Sequence, residues 1–215
     1  MVHRAAHYFF IRKLHSLSGI VPLGVFLGFH LYLNLHAASG PAAYQRAIQT
    51  LQAFFPGPLL ILTEIGLIVV PLLFHAGAGL YLTTHMKSNV VQYPHPQNWL
   101  YWLQRMTGIM LLVFLLAHIA TLRLGFGGPG VSVGANPDIA FEVVRFWLSQ
   151  PFVMAFYGLG IFSAAFHLAN GLWSFAISWG ITISTRSQQL FSYVCFGIGV
   201  LVFSLGVRVL LAFVN

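Results

Sequence analysis

Acidic side chains are almost missing from this chain: three Asp and Glu against ten Lys and Arg in 215 residues. Charged residues of both signs make up 6% and hydrophobic residues 58%, with a mean hydropathy of +0.83. A soluble domain needs far more charge to cover its surface, so the composition excludes one and points to a polytopic membrane protein. Cysteine occurs once, as Cys195 in an apolar run. That excludes an internal disulfide, and any iron–sulfur or zinc site held by thiolates of this chain alone. The formal net charge of +7 comes from Lys and Arg flanking apolar runs. It reflects membrane orientation and does not suggest nucleic acid.

What the chain does have is long apolar runs. At about 20 residues per span, its length allows roughly five helices and short loops. The expected helices cover about 14–36, 58–85, 99–122, 151–181 and 189–214. They form an all-α bundle, a single integral-membrane domain over residues 1–215. Pro41 and Pro56 bracket a stretch that can hold a short surface helix, and residues 124–138 read as a Gly/Pro-rich loop. Arg12 and Lys13 precede an apolar run ending near "HAAS", loosely like a signal-peptide cleavage site. The run is far longer than an h-region of about 7–15 residues, so it is read as the first span. Arg4, Arg12, Lys13, Lys87, Arg105 and Arg186 fall on one side of the spans. Arg46, Arg123, Arg145 and Arg208 fall on the other. This bias puts the N-terminus in the cytoplasm and the C-terminus outside.

The chain repeats itself. "VFLGFH" (Val25–His30) and "VFLLAH" (Val113–His118) lie in spans one and three. "FHAGAGLY" (Phe74–Tyr81) and "FHLANGLW" (Phe166–Trp173) lie in spans two and four. A two-helix unit is thus used twice, followed by a fifth helix. Each match centres on a histidine, and each histidine lies roughly 24 Å along its span from the end where the chain enters. His30 and His118 therefore share the outer level, and His75 and His167 the inner one.

Ionisable residues inside a membrane are costly and mark function. One such histidine could simply hydrogen-bond a neighbouring helix. Four in paired register fit a binding site better. Two facing imidazoles can supply both axial ligands of a haem. Zinc or copper would want more donors close together, including thiolate or carboxylate, and neither level offers them. Gly77, Ala78, Gly79, Ala169 and Gly171 leave room for a flat macrocycle, or equally serve close helix packing. The expected bundle thus encloses two stacked b haems, one at each level.

Glu64 is the one acidic residue within a span, near the outer level. It is a candidate for quinol proton exchange, against a structural hydrogen-bonded carboxyl. His15, Ser16 and Arg105, at the cytoplasmic ends of spans one and three, are candidates for holding the propionates of the inner haem. Arg105 could instead be a snorkelling interface anchor. Trp99, Tyr101 and Trp102 read as interfacial belt residues. His3, His7, His36, His85 and His95 read as surface histidines.

"RKLHSLSG", "LLFHAGAGLY", "NWLYWLQRMTGI", "FHLANGLWSFAISWGIT" and "TRSQ" run through most of the chain. With these stretches it resembles the cytochrome b558 membrane-anchor subunits of succinate dehydrogenase. The resemblance is to the five-helix, di-haem, single-anchor type of Bacillus-like succinate:menaquinone oxidoreductases; related fumarate reductases share that design. The resemblance implies that His75 and His167 bind a proximal haem and His30 and His118 a distal one. It implies a flavoprotein and an iron–sulfur subunit on the cytoplasmic side of a bacterial inner membrane. Electrons would then pass from the iron–sulfur partner through both haems to menaquinone, near Glu64. Dicarboxylate chemistry would lie on the partners, so no catalytic residue is expected in this chain. Competing readings are a fumarate reductase subunit working in reverse, a cytochrome b subunit of a hydrogenase or formate dehydrogenase, and a repeat-built transporter without haem.

Overall fold

The computed structural model describes residues 2–85, 89–134 and 136–214, with side chains from His7 onward. Lys87 lies outside the described residues, as does the side chain of Arg4. All regular elements are helices, with no strand among the described residues. Five helical segments are long and apolar enough to cross a membrane: His7–Ser39, Pro58–His85, Pro96–Arg123, Pro151–Ser178 and Thr185–Ala212. Spans one to five run alternately up and down. The N-terminus lies at one end of the bundle, here the N-terminal face, and the C-terminus at the other.

Span one joins α1 (Val2–Ser18) to α2 (Val25–Leu35) through a π-helical turn at Gly19–Gly24 that contains Pro22. Span two joins α4 (Pro58–Glu64) to α5 (Val70–His85) through a π turn at Ile65–Val69, just before Pro71. Proline lacks the amide hydrogen and its ring collides with the carbonyl four residues back. A widened turn beside each proline absorbs that conflict. Span three is α6 (Pro96–His118), ending in a π turn at Ile119–Arg123. Spans four and five are α8 (Pro151–Ser178) and α9 (Thr185–Ala212).

The helix ends differ from expectation where water-facing residues favour helix. α1 begins at Val2, not near residue 14, because Lys and Arg mark the membrane border and still favour helix. α8 stops at Ser178, not Ile181, where Gly180 turns the chain at φ 72°. α9 starts at Thr185, not Gln189, because the Ser184 hydroxyl accepts from the Ser187 amide at 3.1 Å and caps the helix. It ends at Ala212.

The surface helix between Pro41 and Pro56 is present as α3 (Pro41–Phe54). A second one, α7 (Ala140–Leu148), was not expected. These two helices lie at the C-terminal face. With the end of α9 they form a core of Tyr44, Ile48, Phe141, Val144, Leu148, Leu210 and Phe213. The Gln45 and Gln49 amides of α3 donate to Asp138 at 2.6 and 3.2 Å, and Gln52 donates to the Gly134 carbonyl at 2.9 Å. α3 thus ties down the loop after span three. In the bundle, span four packs against spans three and five, and span one against spans two and five. Large apolar side chains such as Val25, Leu62, Leu116 and Phe196 point outward, as a lipid-facing surface requires.

Candidate functional site

The two levels form as paired histidines. His75 and His167 come together toward the N-terminal face, with ring centroids 6.2 Å apart and planes at 81°. His30 and His118 come together farther along the bundle, at 5.8 Å and also 81°. Two imidazoles sharing one metal at about 2.0–2.1 Å per bond have ring centroids roughly 6 Å apart. Both pairs have that separation. Among the described residues no three His, Cys, Asp or Glu side chains are arranged to hold a metal ion between them.

The hydrogen bonds fix which ring nitrogen is free. His75 Nδ1 donates to the His15 carbonyl at 2.9 Å, and lies 3.3 Å from the Ser18 hydroxyl. His167 Nδ1 donates to the Gln104 carbonyl at 3.1 Å, and lies 3.3 Å from the Thr107 hydroxyl. A carbonyl only accepts, so Nδ1 carries the proton and Nε2 keeps its lone pair. That is the neutral tautomer a metal requires, and the acceptor holds the ring's orientation. His118 Nδ1 lies 3.2 Å from the Tyr157 hydroxyl.

The support follows the repeat. His15-x-x-Ser18-Gly19 and Gln104-x-x-Thr107-Gly108 are equivalent turns of spans one and three. Each gives a carbonyl, a hydroxyl three residues on, and a glycine facing the next span's histidine. A Cβ on Gly19 would run into the His75 ring, and one on Gly108 would sit 3.0 Å from His167 Cε1. Eleven residues separate Gly19 from His30, but ten separate Gly108 from His118. The π turn in span one takes up the extra residue, so His30 and His118 still meet.

The inner level is polar around its histidines. The His15 ring stacks on His75 at 4.1 Å and 13°. Asn170 donates to the Gln104 side chain at 2.8 Å, which donates to the His167 carbonyl at 3.1 Å. Arg105 Nη2 donates to the Thr83 carbonyl and its guanidinium lies over the Tyr101 ring at 5.7 Å. Its Nε is buried with no hydrogen-bond partner. A buried cationic donor left unpaired is costly, and a carboxylate such as a propionate satisfies it. Ser16 is engaged otherwise: its hydroxyl donates to the Lys13 carbonyl at 2.9 Å and accepts from Trp179 Nε1 at 3.1 Å.

The small residues divide. Gly77 has nothing within 4 Å of its Cβ position. The Cβ of Gly79 would meet His15 Nε2 at 2.9 Å, so Gly79 makes room for that ring. Ala169 packs on Gly199 of span five. Near the C-terminal face, Glu64 Oε2 accepts from Arg123 Nη2 at 2.7 Å.

Two comparisons carry the geometry to a family. Residues 84–206 match the succinate dehydrogenase/fumarate reductase transmembrane subunit. The chain is also 39% identical over 206 residues to the succinate dehydrogenase cytochrome b558 subunit of Bacillus subtilis (strain 168), covering 96% of this chain and 97% of that one. This chain belongs to the succinate dehydrogenase/fumarate reductase transmembrane-subunit family. A membrane subunit of that family accounts for the five apolar spans, and the aligned length takes in all four paired histidines. Ser18, Gln104, Thr107, Asn170, Tyr157 and Arg123 were not singled out from sequence. For Ser18 and Thr107 a signal existed, since each precedes a glycine at the same place in the repeat.

Proposed function

We propose that this chain is the di-haem membrane anchor of a succinate dehydrogenase that reduces menaquinone. The observation that carries the reading is the pair of histidine levels. Three of the four rings are held through Nδ1, two of them by backbone carbonyls. On this reading His75 and His167 ligate the proximal haem b, and His30 and His118 the distal one. When bound, the haems supply one-electron steps between a donor at the N-terminal face and quinone near the C-terminal face.

The protein's part is positional. His15, Ser18, Gln104 and Thr107 orient the inner ligands. Arg105 offers its unpaired Nε to a propionate. Reducing a quinone consumes two protons with two electrons, and Glu64 can deliver a proton from its carboxyl. Arg123 holds that carboxylate in place between transfers. A flavoprotein and an iron–sulfur subunit dock at the N-terminal face, taken as cytoplasmic, of a bacterial inner membrane. They supply the electrons and carry the dicarboxylate chemistry.

A reduced-minus-oxidised spectrum of the purified complex tests the cofactor reading: two b-type haems per chain are expected, and none would end it. Succinate:menaquinone reductase activity co-purifying with a flavoprotein separates this reading from a hydrogenase or formate dehydrogenase subunit. The ratio of that rate to fumarate reduction by menaquinol gives the working direction.

A further inference from the structure

Three of the paired histidines have an Nδ1 partner, and the partners are of two kinds. At the inner level both are main-chain carbonyls, of His15 and Gln104. At the outer level it is a side chain, the Tyr157 hydroxyl, 3.2 Å from His118 Nδ1. We infer that the Tyr157 hydroxyl orients His118 and sets the donor strength of its Nε2 toward the outer haem, making Tyr157 a positioning residue for electron transfer. This inference rests on the di-haem reading above.

The phenol packs against Phe114. Phe114 lies against His118 at 5.5 Å and meets Tyr157 edge-on at 5.1 Å. Gly160 admits Phe114, since any Cβ there would run into that ring. On the di-haem reading Nε2 is the ligating atom, so the His118 proton sits on Nδ1. The Tyr157 oxygen then accepts from His118 Nδ1, and Nε2 is left as the electron-pair donor. Accepting a hydrogen bond from a ligand's N–H makes the ligand more basic. A more basic ligand favours the oxidised metal and lowers its potential. Tyr157 does this at the outer level only.

The test is a potentiometric titration of the intact complex, following the haem absorbance, with Tyr157→Phe beside wild type. Phenylalanine keeps the ring packing and removes only the acceptor. The expected result is an upward shift of the outer haem's midpoint with the inner one unmoved. Loss of the outer haem alone, with the inner one retained, supports the same role. Two bound haems with unmoved midpoints overturn the inference, and so does an equal change in both. If the variant does not assemble, Phe114→Leu, which loosens the ring packed against both Tyr157 and His118, is read by the same criteria. Wild-type complex without two haems sinks the functional reading instead, so the two failures are distinct.

Discussion

Glu64 and Arg123 meet at 2.7 Å between spans two and three, at the C-terminal face. Arg123 closes the π turn that follows His118, so the ion pair lies one turn beyond an outer-level histidine. Glu64 is 30% exposed and Arg123 49%. Both residues fall within spans two and three, where a charge without its partner is costly. Glu64→Gln keeps the shape and removes the proton carrier. Succinate:menaquinone reductase should fall by about 10²-fold or more, while both haem signals persist. A rate within twofold of wild type would remove Glu64 from the mechanism. Arg123→Gln should slow quinone reduction less than Glu64→Gln does.

Removing ligands should reveal the pairing. His75→Ala and His167→Ala should each lose the same haem, and His30→Ala and His118→Ala the other. Haem content with spectra of the retained haem decides this. If His30→Ala and His75→Ala lost the same haem, the two-level arrangement would be wrong.

Gly19→Ala tests the cradle without touching a ligand. Alanine favours helix by roughly 1 kcal/mol over glycine, so helix propensity alone predicts a gain. The new methyl would instead collide with His75. We expect loss or strong weakening of the inner haem, with the outer one kept. Gly108→Ala should act in the same direction on the same haem, more mildly, because its methyl would stand 3.0 Å from His167 Cε1. Gly28→Ala, with nothing within 4 Å, is the control and should leave both haems.

Tyr44 gives a pH signature outside the spans. Its hydroxyl donates to Asn34 Oδ1 at 3.2 Å, and Asn34 donates to the His30 carbonyl at 2.8 Å. Burial against Phe141 and Phe213 pushes the Tyr44 phenol well above its ordinary value. The unfolded chain ionises this tyrosine near pH 10, while the folded chain keeps its proton. Stability from Tyr44 is therefore whole below about pH 10 and declines as pH rises above it. Thermal unfolding of Tyr44→Phe should show a cost of about 0.5–1.5 kcal/mol at neutral pH. The decline above about pH 10 should be shallower than in wild type. An equal decline would place its cause elsewhere.

Much of this was legible because periodic apolar runs and paired histidines are local signals. Val25–His30 and Val113–His118 announce a repeat without any structure, and the repeat assigns the histidine levels. The surface helix α3 was readable from Pro41 and Pro56 at its borders. α7 was not, because it is short and its apolar face is satisfied by Tyr44, Leu210 and Phe213, which are distant in sequence. Arg123 was read as an orientation marker, since nothing local says that it meets Glu64. Tyr157 looked like one aromatic among many in span four. The π turns were indirectly visible: the extra residue between Gly19 and His30 has no other place to go. Gly79 was read as clearance or packing, and its contact with the His15 ring was not legible because His15 is distant in sequence.

The carbonyls of His15 and Gln104 belong to the main chain. No codon change at those positions can delete them, short of a change that displaces the backbone. One acceptor of each inner imidazole thus survives side-chain substitution at His15 and Gln104. The outer level has no such protection at His118, whose partner depends on one replaceable side chain. On the di-haem reading, selection can retune the outer level by a single substitution at Tyr157, while the inner level keeps one acceptor per ring whatever side chains stand at His15 and Gln104.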